Sequence, residues 1–159
     1  MNKKILFLIP LLGLLLVSGV MACFVGNSFR GTGGNINYIG TDINPVPANV
    51  QLSYWANYGG SNGQGSLELI AKTLGGKRIV LNMNMRDLAY YSYIENGVQY
   101  LHFEGNGNAN YWKQGIGLKQ VVFSVNGNLD TSSMKTTISG FGNDGTNFQI
   151  TDIVTKTIA

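Results

Sequence analysis

The stretch LAYYSYIENGVQYLHFE, residues 88–104, decides how this chain is read. Asn96-Gly97 stands at its centre. A two-residue hairpin turn of the favoured hand needs positive φ at both central positions, and Asn-Gly supplies it at least cost. With those two residues as the turn, Tyr93 lies opposite Tyr100, Tyr91 opposite His102, and Ala89 opposite Glu104. Side chains alternate across a strand with period two, so these pairs share one face. Tyr90, Ser92, Ile94, Leu101 and Phe103 take the other.

The pattern extends outward from the hairpin. Ile79, Leu81, Met83 and Met85 alternate with Val80, Asn82 and Asn84. If Arg86-Asp87 turns the chain back, Met83 meets Tyr90, Ile79 meets Ile94, and Asn82 joins Tyr91. The expected core face is then Ile79, Leu81, Met83, Ile94, Leu101 and Phe103. The opposite face gathers Asn82, Tyr91, Tyr93, Tyr100, His102 and Glu104. Beyond these, Val50, Leu52, Tyr54, Ala56 and Tyr58 alternate with polar partners. Ser66–Thr73, Val98–Trp112, Lys119–Val125, Met134–Phe141 and Phe148–Val154 are further extended runs. Gly75-Gly76 and Asp144-Gly145 add turn signals. No stretch has the period and length of a helix in this region. Strands every 10 to 15 residues, joined by short links, predict an all-β antiparallel meander of eight to nine strands, closed as a β-barrel or folded as a β-sandwich.

Glycine is frequent, with 22 residues. Gly105 and Gly107 fall on the same face as Leu101, Phe103 and Ala109, and Gly140 and Gly142 repeat the device. Interior glycine in a strand marks curvature, a bulge or a close approach; a backbone left bare for a ligand is the other reading. Of the large aromatics, at least one of Trp55 and Trp112 is expected in the core.

The first 22 residues differ in kind. Lys3 and Lys4 precede an apolar run from Ile5 to Val17, and Val20 and Ala22 give a small-x-small pattern before Cys23. The run Val20-Met21-Ala22-Cys23 resembles the lipobox of bacterial lipoproteins, in which the cysteine carries lipid and becomes the mature N-terminus. The resemblance implies a lipoprotein-type signal peptide over 1–22 and lipidation at Cys23. Two alternatives remain: cleavage that leaves a free thiol, and an uncleaved N-terminal anchor helix. All three put the rest of the chain outside the cytoplasm, membrane-anchored or secreted. Residues 23–34, rich in Gly and polar side chains, read as a flexible tether. Pro45 and Pro47 punctuate a loop after a short run at 36–43. Residues 35–159 then form a single β-domain.

Composition removes several function classes. Only 12% of residues are charged, and the net charge is +3. Loss of Lys3 and Lys4 with the leader leaves nine basic and eight acidic residues, a net +1, with no basic run of the kind nucleic-acid binding needs. One Cys and one His exclude a disulfide and a multi-histidine metal site within one chain. No zinc-protease, Walker A or G-x-S-x-G motif occurs. Residues 143–147 carry calcium-friendly oxygens without the spacing of an EF-hand. No cofactor or metal is therefore expected.

The expected function is a non-catalytic binding or envelope structural module. Its candidate surface is Asn82, Tyr91, Tyr93, Tyr100, His102 and Glu104, where flat amphipathic rings beside amides suit a carbohydrate or a protein partner. The alternatives are a barrel that carries a small apolar or sugar ligand inside, and a hydrolase acting at the cell surface.

Overall fold

A computed structural model of the chain describes residues 28–55 and 62–158. The leader, Cys23, Tyr58 and the anchor helix expected at the N-terminus lie outside these residues. Ten strands follow one another: β1 (Ser28–Thr32), β2 (Asn35–Ile39), β3 (Asp42–Pro47), β4 (Asn49–Trp55), β5 (Gly63–Lys72), β6 (Arg78–Glu95), β7 (Val98–Lys113), β8 (Gly117–Asp130), β9 (Lys135–Gly142) and β10 (Asn147–Ile158). Each pairs antiparallel with its neighbours. The meander runs from β4 to β10, and β10 returns to β1. This closes an eight-stranded barrel. β1 and β2 are successive halves of one stave along β10, broken at Gly33-Gly34, where both residues have positive φ. β3 and β4 are likewise halves of the next stave.

Closure removes the sheet edges that a sandwich would have to protect, and the inward face explains why the barrel is small. The inward side chains form one continuous core, among them Leu52, Leu67, Leu81, Phe103, Phe123 and Phe148. An eight-stranded barrel leaves room for little more than its own side chains. Here glycines make space for large neighbours across the register. Phe103 pairs with Gly127, and Phe148 with Gly140. A Cβ on Gly127 would stand 2.1 Å from the Phe103 ring, and one on Gly140 would stand 2.2 Å from that of Phe148. Gly107 does the same for Met83. These glycines serve packing and curvature, and the ring stack Phe29–Tyr54–Phe103, with centroids 4.9 and 4.4 Å apart, fills the bore. Within it the Tyr54 hydroxyl is buried and has no hydrogen-bond partner. Burial pushes its ionisation far above the ordinary phenol range.

Several expectations are corrected. Arg86-Asp87 is no turn: β6 is one 18-residue strand, and Asp87 takes φ 55° in a bulge opposite Gly105. A bulge absorbs one extra residue and lets the strand continue. Met83 therefore pairs with Ala109 and Leu67, not Tyr90. Ile94 is 75% exposed near the hairpin tip, beyond the reach of the core, while Ile79, Leu81, Met83, Leu101 and Phe103 are buried as expected. Residues 28–32, read as tether, form β1 with Phe29 in the core. Pro45 and Pro47 lie in β3, which pairs only with β2 and so tolerates missing N–H groups. Neither Trp55 nor Trp112 is fully buried; Tyr54 and Tyr111 take the inward positions beside them.

Candidate functional site

Alternation along β6, β7 and β8 puts polar side chains on the outside of the barrel in register. Asn82 faces Asn110, Asn84 faces Asn108, and Arg86 faces Asn106. Across the next seam Asn106 faces Ser124, Glu104 faces Asn126, and His102 faces Asn128. The result is a ladder of amides that ends in aromatic rings. These outward amides are placed to hydrogen-bond with water.

The hairpin register derived from Asn96-Gly97 is observed: Tyr93 faces Tyr100, Tyr91 faces His102 and Ala89 faces Glu104. Asn96 and Gly97 take φ 50° and 78°, as the turn requires. Tyr93 and Tyr100 stack with centroids 5.3 Å apart and planes 18° apart. The Tyr91 ring lies 4.9 Å from the His102 ring and 6.4 Å from Tyr93. Four rings thus form one patch, with Tyr91 48% exposed at its outer side.

His102 is fixed from below. Its Nδ1 is 2.7 Å from Asn128 Oδ1, which accepts, so Nδ1 carries the proton. Tyr93 Oη donates more weakly to the same oxygen at 3.5 Å. His102 Nε2 points toward Glu104 at 3.8 Å, a distance that makes an ion pair only when the ring is protonated. The His102 side chain is 15% exposed and that of Glu104 65%. The Tyr93 phenol is shifted upward by partial desolvation and by the negative charge of Glu95. No serine, threonine or cysteine hydroxyl or thiol is hydrogen-bonded to His102 among the described residues. The arrangement brings rings and amides together around His102.

Five of the six expected surface residues come together here. Asn82 does not. It shares the outer face but pairs with Asn110 and Glu68, about 25–30 Å along the strand from Tyr91 at ~3.3 Å per residue. The missing turn at Arg86-Asp87 accounts for the difference. Asn128 was absent from the expected set although it anchors His102. Its signal was present: asparagine recurs with period two at 82 and 84, at 106, 108 and 110, and at 126 and 128. Among the described residues no group of three His, Cys, Asp or Glu side chains could hold a metal ion. No described helix is long and apolar enough to cross a membrane. Comparison with protein-family models, with curated proteins and with solved structures finds no significant match, so the site is read from its own geometry.

Proposed function

We propose that this chain is a non-catalytic carbohydrate-binding module held outside the cytoplasm, with membrane attachment through Cys23. The observation that carries the reading is the patch of Tyr91, Tyr93, Tyr100 and His102 bordered by Asn126, Asn128 and Glu104. Ring faces offer apolar contact to the C–H side of a sugar, while amides and a carboxylate meet its hydroxyls. Weak overall charge suits a neutral glycan better than an ionic partner. The filled interior speaks for an external surface over a ligand enclosed in the bore.

The test is titration of the purified protein with envelope oligosaccharides, followed by Tyr91→Ala and His102→Ala. Exposed Tyr91 contributes little to folding, so Tyr91→Ala should weaken binding about tenfold or more, the scale of a lost aromatic anchor, with an unchanged melting temperature. Equal binding by both variants and the parent would overturn the reading. For the attachment, mass spectrometry of the mature N-terminus should find an acylated Cys23; an unmodified Cys23 sinks that part.

A further inference from the structure

The outer wall sinks beside the aromatic patch. Successive rows across β6, β7 and β8 run Tyr91–His102–Asn128, then Ala89–Glu104–Asn126, then Arg86–Asn106–Ser124. The bulge at Asp87 interrupts β6 between the last two. In the middle row β6 offers only the methyl group of Ala89, where its neighbours on the same strand are a tyrosine and an arginine. The hollow left there has a volume of about 370 Å³, and its lining includes Asp87, Ala89, Glu104, Asn106, Ser124 and Asn126.

The chemistry of this lining is suited to a polyol. Asn106 and Asn126 each present a carbonyl oxygen and an NH₂ group, Ser124 a hydroxyl, and Asp87 and Glu104 acceptor oxygens. Arg86, which faces Asn106, adds a donor at the border. Among the described residues no protein group hydrogen-bonds the side chains of Asn106, Ser124 or Asn126. Both donors and acceptors are therefore open to a ligand.

The hollow has an aromatic shoulder on each side. Tyr91, 48% exposed, stands on β6 one row away. On the other side the row of Asn106 and Ser124 continues across the next seam to Phe141 of β9. Phe141 is 51% exposed, and its other neighbour in register is the polar Asn147. His102 and Asn106 are about 13 Å apart along β7, and β6 and β9 are three strand spacings apart, so Tyr91 and Phe141 lie roughly 20 Å apart over the surface. A single sugar ring reaches one shoulder. A chain of several units reaches both, with the amides under its middle.

We propose that the hollow and Phe141 form a second subsite, and that the ligand is an extended, uncharged, N-acetylated oligosaccharide. One unit stacks on Tyr91 beside His102. The next lie over Ala89, among Glu104, Asn106, Ser124 and Asn126, and a later unit rests on Phe141. An acetamido group offers one carbonyl and one N–H, which complement the amide of an asparagine. This inference rests on the reading of the tyrosine patch as a glycan site, and adds to it the length and path of the ligand.

The experiment is calorimetric titration with N-acetylglucosamine oligomers from dimer to hexamer, mapped by NMR of the isotopically labelled protein. The hexamer should bind about tenfold or more tighter than the dimer, the scale of one further aromatic contact. It should shift Glu104, Asn106, Ser124 and Phe141 as well as Tyr91 and His102, whereas the dimer should shift only the last two. Phe141→Ala, at an exposed position, should keep the melting temperature and remove most of the advantage of the hexamer over the dimer. Asn106→Ala should do the same to a smaller degree. Tyr91→Ala should weaken both oligomers. Equal affinity for dimer and hexamer, or an advantage of the hexamer that Phe141→Ala leaves intact, would overturn the second subsite while the tyrosine patch stands. Binding at no length would overturn both.

Discussion

Replacing Gly127 by alanine adds one methyl group to the barrel interior, and the structure says where it goes. The new Cβ would lie 2.1, 2.4 and 2.8 Å from three atoms of the Phe103 ring. Ordinary carbon contacts are about 3.5–4.0 Å, so the ring must move by more than an ångström. It has nowhere free to go. Phe103 is 1% exposed, and its ring lies 4.4 Å from that of Tyr54, which in turn lies 4.9 Å from Phe29. Overpacking of this kind costs about 1–3 kcal/mol. Alanine also restricts the unfolded chain, which returns about 0.4–1 kcal/mol. The net loss is about 1–2 kcal/mol, or roughly 4–8 °C in melting temperature for a domain of this length. Thermal and urea unfolding should agree on this. The outward neighbour Ser124→Ala should stay within about 0.5 kcal/mol of the parent. Combining Gly127→Ala with Phe103→Leu should cost less than the two single changes together by about 1 kcal/mol or more, because the second removes the atoms the first collides with. A Gly127→Ala protein as stable as the parent, or strictly additive costs, would refute the idea that the bore is filled by glycine–aromatic pairs.

Two other expectations concern stability. Tyr54→Phe removes a buried hydroxyl that makes no hydrogen bond, although the Thr136 hydroxyl, itself 2.8 Å from that of Thr155, lies beside it. Stability should be unchanged or higher by up to about 1 kcal/mol; a loss of 2 kcal/mol or more in urea unfolding would mean the hydroxyl is satisfied. Acid should also destabilise the fold within a defined window. The Lys119 ammonium at 2.6 Å and the Thr146 N–H hold Asp144 at about 2, and Ser132 and Ser133 hold Asp130 at about 2, against 3.8 for a free aspartate. Lys135 lowers Asp152 in the same way. Folded values below the unfolded one mean stability that is complete above about pH 4 and lost as pH falls toward 2. Melting temperature measured across pH 2–6 should show that decline, and Asp144→Asn should reduce it; a profile flat down to pH 2 would contradict these assignments.

The local rules worked wherever turn chemistry was strong. Asn96-Gly97 carried enough information to set Tyr93 against Tyr100 and Tyr91 against His102, since a two-residue turn leaves one register. The all-β class and the antiparallel meander followed from the spacing of such signals, while the choice of a barrel over a sandwich is made by the long-range pairing of β1 with β10. Arg86-Asp87 shows where this stops. A bulge and a turn both ask for positive φ at one residue, and nothing local distinguishes them; the decision is made by β7, whose Gly105 leaves room for the bulge. Asn82 was misplaced for that reason alone. β1 was missed because Gly31, Gly33 and Gly34 look like a linker. Gly31 is in fact pressed against Ile153 and Leu52 in the wall, where a Cβ would stand 2.6 Å from Ile153.

The central functional claim is that the outer tyrosine–amide patch binds a glycan without catalysis. Chemical-shift mapping during titration with envelope oligosaccharides tests it most directly. The account predicts saturable shifts at Tyr91, Tyr93, Tyr100, His102 and Asn128, lost in Tyr91→Ala while the oligosaccharide stays intact. Shifts confined to the far end of the barrel, or cleavage of the oligosaccharide that depends on His102, would contradict it.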